Sequence, residues 1–515
     1  MSKDYLHNIM NSRDKLTSFV RAFRRLLLLG LVVLSVWLYC KNNKYSQSPE
    51  LSAEESTGLV ANWGTEAEQL AREKDMPIFF SIGDTFRKES QSEDIIKKHF
   101  IYTELDPELY PADHLALKAL HCNIGENVNI TCGVLTSKMY PILTSTNPTF
   151  KHEDKNAEPS IDDTLKGLVN IYHKNYNRFL KLSKSFYLLE DVPSEFPFEL
   201  LDEDMDKLAF MLDFGYNEKF KPAQISESAR LIFRNCTIAE FSILRTKLKN
   251  IAYEEIVKKA KEGDKSDFIH RSFYIRALSE YILSFDDFEN VDLVKEFANE
   301  IKSCQDKDGS FVIEGSKNTL YNAFSLTILS YAYKITKDES YKQSIEKFVV
   351  FLDSELKKRH ALAANFKEGG ISGAKGYVYL ARALLNSYIV SYNESSLKLV
   401  NQILLRLKKN HRTLNSMVLE LPESSTLAKY INLCSIEDDS YTSTNGVLVQ
   451  LYCDMHNLNI TNELDSKIKD IFNSTLDSPT QSTGFDFSLR LAKRFNPLIS
   501  LSTVKKINIA KENLK

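Results

Sequence analysis

The 515-residue chain has little of what marks the specialised protein classes. It carries 7 Cys, 13 Pro, 17 Gly and 2 Trp, and its formal net charge is -3. So few cysteines over such a length exclude a disulfide-dense secreted scaffold. The modest glycine and proline content excludes collagen-like and low-complexity architectures, and 43% hydrophobic with 26% charged residues excludes wholesale disorder. A near-neutral charge gives no basic footprint, so no nucleic-acid partner is expected. There is no P-loop, no GxGxxG and no HExxH. His121-Cys122 lacks a second ligand pair at metal-binding spacing, so neither a metal nor a cofactor is expected.

Long apolar runs are also scarce, with one exception. Leu26 to Cys40 reads LLLLGLVVLSVWLYC without a charge. It is short of the ~20 residues of a typical span. Phe19, Val20, Ala22 and Phe23 extend it, Arg24 and Arg25 can snorkel, and Trp37 and Tyr39 sit where an aromatic belt would lie. No small-x-small cleavage site follows, and Tyr39 before Cys40 argues against lipoprotein processing. The expectation is an uncleaved transmembrane anchor at 26–40, in preference to a cleaved signal peptide. Lys3, Arg13, Lys15, Arg21, Arg24 and Arg25 precede it and only Lys41 and Lys44 follow closely. The 1–25 tail is therefore expected in the cytoplasm and the bulk outside, in the periplasm of a bacterium. Polar residues 41–58 form a linker.

From about 59 to 155 the pattern alternates. An amphipathic stretch from Asn62 to Lys74 precedes the β run Ile78 to Ile82. A polar helical stretch to His99 precedes a second β run, Phe100 to Leu105. A helix over Ala112 to Leu120 precedes β segments near Ile130 to Leu135 and Pro141 to Ser145. This α-β-α-β-α-β-β order is that of a thioredoxin-like α/β domain. From about 160 to 515 helical periodicity dominates. Four stretches (Phe273 to Ile301, Ala323 to Leu356, Tyr377 to Leu407, Val447 to Ile471) each pair two amphipathic helices across a polar turn. Such pairs must stack to bury their faces. Stacking about twelve helices gives either an (α/α)6 six-hairpin toroid or an open superhelix.

Specific motifs carry a resemblance. W-x-x-E-A and A-x-E-x-x-x-P-I-F-x-S-I-G run from Trp63 to Gly83, and H-F followed by D-x-E-x-x-P-x-D runs from His99 to Asp113. The chain resembles the thioredoxin-domain family with an attached six-hairpin helical barrel, which includes the spermatogenesis-associated thioredoxin-like protein. Tyr321-Asn322, Gly369-Gly370 and Ser443-Thr444-Asn445-Gly446 resemble later family motifs in the same order. The resemblance implies closure of the helical half into the toroid. The family's C-H-W-C is missing: Asp84 to Ser90 follows S-I-G, and no cysteine lies between Cys40 and Cys122. Thiol–disulfide exchange needs an attacking thiolate and a resolving thiol, so the domain is expected to be redox-inactive. Cys122 and Cys132 are a candidate disulfide in an oxidising compartment.

Six-hairpin barrels often host glycosidases or sugar epimerases, which need paired carboxylates or a histidine acid/base. No single catalyst is assigned. The candidates are Glu368, His270, Asp438 and Asp439 with Glu437, and the Asp306/Asp308 turn, each also explicable as a cap or a solvated loop charge. At the positions of the family's P-H-F-E-K-M-L-Y-D-N this chain has Asp267 to Arg276, and the acids are mostly lost. The residues that resemble a sugar-lining set persist: Tyr274, Tyr321, Asn322, Tyr377, Tyr441 and Asn445. A membrane-anchored protein that binds a partner protein or an envelope saccharide is the leading expectation, and a carbohydrate-active hydrolase or epimerase is the alternative.

Overall fold

Whether a segment is apolar on one face or on all of them sorts its elements into outer and central ones. The computed structural model describes residues 59–83, 93–122, 130–145, 161–174, 221–236, 243–262, 267–414, 417–429, 431–435, 441–458, 460 and 498. The expected anchor, tail and linker, and Glu437, Asp438 and Asp439, lie outside these residues. No helix among the described residues is long and apolar enough to cross a membrane. The described elements are mainly helical and divide into two units, residues 1–190 with 424–431, and residues 191–423 with 432–515.

The N-terminal unit runs α1 (Thr65–Lys74), β1 (Ile78–Ile82), α2 (Glu93–His99), β2 (Ile101–Leu105), α3 (Pro111–Cys122), β3 (Cys132–Leu135), β4 (Pro141–Ser145) and α4 (Ile161–Lys174). The sheet order is β2-β1-β3-β4. β1 pairs parallel with β2, Ile78 opposite Ile101, and antiparallel with β3; β3 pairs antiparallel with β4. β1 is central, so Ile78 to Ser81 are buried without alternation, whereas β2 alternates between buried and accessible residues. The expected element order is the observed one. α4 belongs here: Leu165 and Val169 pack with Phe79, Phe100 and Cys132. The division therefore falls after this helix and not near residue 155. Gly133 has no room for a side chain, since an added Cβ would lie 2.4 Å from the Leu143 carbonyl oxygen.

Cys132 is a free thiol. The Cys122–Cys132 bridge raised from the sequence is not formed: the Cys132 side chain is buried in the apolar core, and burial pushes its thiol up to about 11. Elsewhere in this unit Asp113 is buried, accepting from Trp63 Nε1 at 3.1 Å and from the Ser425 hydroxyl.

The helical unit comprises α5 (Pro222–Cys236), α6 (Ile243–Glu262), α7 (Phe268–Phe285), α8 (Val291–Ser303), α9 (Thr319–Thr336), α10 (Glu339–Lys358), α11 (Ala374–Ser391), α12 (Glu394–Asn410), β5 (His411–Leu414), β6 (Met417–Pro422) and α13 (Thr444–Asn457). α5, α7, α9, α11 and α13 pack successively against one another as an inner layer, and α6, α8, α10 and α12 each pair with an inner neighbour. The inner helices α7, α9 and α11 are buried almost all round, whereas α8, α10 and α12 bury a single stripe. The turns leading outward are short. α7, α9 and α11 each end on a left-handed residue (Asp286, Lys337, Tyr392). Asp338 and Asn393 then cap α10 and α12 through the backbone N–H groups of Ser340 and Ser395. Three connections leading inward are long (304–318, 359–373, 411–443), so these large loops gather at the N-terminal ends of α9, α11 and α13. The β5–β6 hairpin, in one of them, is an element the helical periodicity does not announce.

Candidate functional site

The N-terminal ends of α7, α9, α11 and α13 bring several polar and aromatic side chains together. Asp267 caps α7, its Oδ1 accepting from His270 N at 2.9 Å, and its Oδ2 lies 2.8 Å from His270 Nδ1. One turn later Tyr274 is buried, and its hydroxyl is pushed up to about 12 by burial and by the charges of Glu255 and Asp267. Glu314 and Gly315 form the two-residue turn between Ile313 and Ser316, whose backbones exchange hydrogen bonds of 3.0 and 2.9 Å. Glu314 has φ 53°, a left-handed conformation that disfavours a long side chain. It places a carboxylate that accepts from Tyr321 Oη at 2.9 Å and from Phe268 N at 3.5 Å. Tyr321 also meets the Phe268 ring edge-on, centroids 5.6 Å apart.

Tyr441, just before α13, closes the constellation. Lys375 Nζ lies 4.6 Å from its ring centroid. Burial pushes its hydroxyl up to about 12, and the negative charges of Asp267 and Glu314 add to the shift. One phenol thus feels carboxylates from two different inner-helix entrances while a cation rests on its ring.

The other sequence-predicted residues are placed differently. Asn322 is buried and turned to its own loop: Oδ1 accepts from Phe311 N at 2.8 Å, and Nδ2 donates to Phe311 O at 3.1 Å and Asn318 O at 2.9 Å. Asn445 repeats the device, accepting from Val418 N at 2.9 Å and donating to Val418 O at 3.1 Å. The Tyr377 hydroxyl accepts from Leu362 N at 2.7 Å. These three staple the long loops to the inner helices. Asp306 and Asp308 lie 2.7 and 2.6 Å from Lys317 Nζ, and that contact holds the Asp306 carboxyl below its ordinary range. Glu368 is exposed on the turn before Gly369, its backbone N–H donating to Asn365 Oδ1 at 3.2 Å. Sequence reasoning missed Glu314 and Lys375 as site members. A glutamate ahead of glycine in a two-residue turn was the signal for the first; nothing in the sequence marks the second.

Deeper in the inner layer the carboxylates are ion-paired. Glu280 on α7 lies 2.7 Å from Arg230 and 2.8 Å from Arg234 of α5, and accepts from Tyr331 Oη of α9 at 2.6 Å. Glu227 pairs with Arg230 and Arg276 and accepts from Thr442 at 3.0 Å; Arg382 pairs with Asp454. Burial alone would raise the Glu280 carboxyl, but the charges of Arg230 and Arg234 and their hydrogen bonds hold it well below the usual carboxylate range. It cannot serve as the protonated acid that glycoside hydrolysis needs. Among the described residues no group of three or more His, Cys, Asp or Glu side chains could hold a metal ion.

No family model matches the chain, and no curated protein matches it. Among solved structures it is similar to a GH76A alpha-1,6-mannanase from Salegentibacter sp. at 12% identity and TM-score 0.41, over 59% of this chain and 98% of that one. A cellobiose 2-epimerase from Bacillus thermoamylovorans aligns at 11% identity and TM-score 0.39, over 51% of this chain and 77% of that one. A D-mannose isomerase aligns at 9% identity and TM-score 0.41, over 61% of this chain and all (100%) of that one.

Proposed function

We propose that this is a membrane-anchored extracytoplasmic protein that binds a saccharide at the mouth of an (α/α)6 helical barrel, beside a redox-inactive thioredoxin-like module. The observation that carries the binding role is the convergence on Tyr441 of Lys375, Asp267 and Glu314, with Tyr321 hydrogen-bonded to Glu314. Aromatic faces match the apolar C–H faces of a sugar ring, and carboxylates accept from its hydroxyls. The alternation of inner and outer helices supports the barrel. The strand order β2-β1-β3-β4, parallel in its first pair and antiparallel in the rest, supports the thioredoxin-like assignment. The absence of any cysteine between Cys40 and Cys122 supports redox inactivity. A glycan array probed with the intact chain in detergent tests the binding role. A wild-type signal that falls at least tenfold in Tyr441→Ala supports it; silence across envelope and host glycans overturns it and leaves the partner-protein role to a pull-down. A C-terminal reporter enzyme that is active only in the cytosol would overturn the topology.

A second reading, a carbohydrate-active hydrolase or epimerase, is favoured by one observation. Asp267 and Glu314 both act on the same phenol, and His270 sits 2.8 Å from Asp267. Those groups have the composition of an acid/base pair. Turnover of the bound glycan, abolished by Asp267→Asn or Glu314→Gln, would establish this reading; stable binding without turnover supports the first.

A further inference from the structure

The residue after Tyr441 is tied down from two sides. Thr442 is fully buried, and its hydroxyl donates to Glu227 Oε1 of α5 at 3.0 Å. Its carbonyl oxygen accepts from the Tyr379 hydroxyl of α11 at 2.7 Å. Glu227 is fully buried as well and pairs with Arg230 and Arg276, so the anchor is itself held in place. A hydroxyl bonded to a carboxylate away from water is a strong, directional tie. Two residues further on, the Thr444 hydroxyl donates to Glu420, whose other oxygen accepts from Lys375 N at 3.2 Å. One buried carboxylate of β6 thus joins the start of α13 to the start of α11. Those two starts carry the ring and the cation that meet at 4.6 Å.

Helix capping does not account for these ties. Ser443 already caps α13, its hydroxyl oxygen accepting from Gly446 N at 3.2 Å. The bonds of Thr442 lie before the cap and act on the residue that precedes it. Tyr441 stays partly exposed at the loop end. A ring held this way has little freedom left to lose when a ligand stacks on it, and binding gains by what the free protein has already given up.

We propose that Thr442, held by Glu227 and Tyr379, is a positioning residue that fixes the Tyr441 ring against Lys375 and so pre-forms the saccharide site. What the ring binds rests on the saccharide reading above; what holds the ring does not.

The test uses the intact chain in detergent and pairs a ligand-free reading with a ligand-bound one. For the first, Tyr441→Trp places a fluorophore at the ring's position, and acrylamide quenching, with the wild type as blank, reports its shielding. Adding Thr442→Val, which keeps the branched shape and removes the hydroxyl, should at least double the quenching constant. Adding Thr442→Ser, which keeps the hydroxyl, should leave it near that of Tyr441→Trp alone. For the second, the probe is the glycan array: signals on the spots that the wild type binds should fall at least fivefold in Thr442→Val and recover in Thr442→Ser. Should Thr442→Val fail to fold, Tyr379→Phe, which removes the hydroxyl that donates to Thr442 O, takes its place in both arms with the same expected direction. An array on which the wild type binds nothing would sink the saccharide reading and leave the quenching arm to decide the positioning role. Equal quenching with and without Thr442→Val would overturn that role, and so would unchanged array signals in Thr442→Val.

Discussion

Single buried titratable groups set the pH response of each unit. His411, at the start of β5, is 2% exposed, with its ring edge-on to Tyr377 at 5.2 Å and Nδ1 3.2 Å from the Leu419 carbonyl oxygen. Nδ1 meeting a carbonyl requires the Nδ1–H tautomer, and Nε2 has no partner. Burial lowers the imidazole to about 4 from 6.5. The unfolded chain therefore binds the extra proton between those values. Stability is full above about pH 6.5 and is lost as the pH falls towards 4, by roughly 3 kcal/mol. Urea midpoints measured from pH 7 to 4 should fall accordingly, and His411→Phe should flatten much of that slope. Asp113 in the N-terminal unit runs the other way. Burial raises its carboxyl against the pull of hydrogen bonds from Ser425 and Trp63. A carboxyl raised on folding binds more protons in the native state, so stability falls as the pH rises from the unfolded value through the folded one. Asp113→Asn, whose amide can still accept from Trp63 and meet the Ser425 hydroxyl, should be at least as stable as wild type at pH 7 and should lose that dependence in differential scanning calorimetry. Tyr441 and Tyr321 were legible in the sequence as candidates, and both stand at the inner-helix entrances, Tyr321 bonded to Glu314 and Tyr441 beneath Lys375. The direction of Asn322 and Asn445 was not. A polar residue near a helix start shows that hydrogen bonds are made, while the partner depends on where a long loop returns in space.

Helix pairs were legible for a physical reason. The outer helices α8, α10 and α12 alternate apolar and polar sides, and the turns that lead into α10 and α12 carry their own capping residues, Asp338 and Asn393. Long inward loops have no such periodicity, which is why β5 and β6 and the turn at Glu314 escaped. Their stability comes from staples and close approaches instead. Gly309 shows the fit: at φ 99°, an added Cβ would lie 2.5 Å from the Lys347 carbonyl oxygen. Asn322 holds the same loop from the other side. Asn322→Ala leaves Phe311 N and O and Asn318 O without that amide, and a buried group left unpaired costs about 1–3 kcal/mol. A loss of roughly 3 kcal/mol in the urea unfolding of the helical unit is expected, with faster tryptic cleavage at Lys307 and Lys317. Unchanged cleavage would show that the loop is held by other contacts.

At the scale of the molecule, the ordinary overall composition concealed how charge is used. Among the described residues most charged side chains are accessible to solvent, but Glu227, Arg230, Arg234, Arg276, Glu280, Arg382 and Asp454 are buried and cross-link α5 to α7 and α11 to α13, with Tyr331 of α9 joining through Glu280. No window of sequence reveals this, because the partners are separated by 46 to 51 positions where Arg230, Arg234 and Tyr331 meet Glu280. Such a network contributes specificity of packing more than raw stability, since each ion gives up its hydration on burial. Its removal is asymmetric. Glu280→Gln keeps the volume but leaves Arg230 and Arg234 facing a neutral amide, and breaking a buried pair in this way costs about 3–5 kcal/mol. Replacing Arg382 and Asp454 together by Met and Leu removes both charges of a pair and should cost far less than Arg382→Met alone, which takes from Asp454 the guanidinium it is paired with. Urea titrations of the single and double variants, read as a double-mutant cycle, should return a coupling energy above about 1 kcal/mol for Arg382 with Asp454. Additive single and double effects would mean that the inner helices are held by their apolar contacts alone and that the ion pairs only fill space.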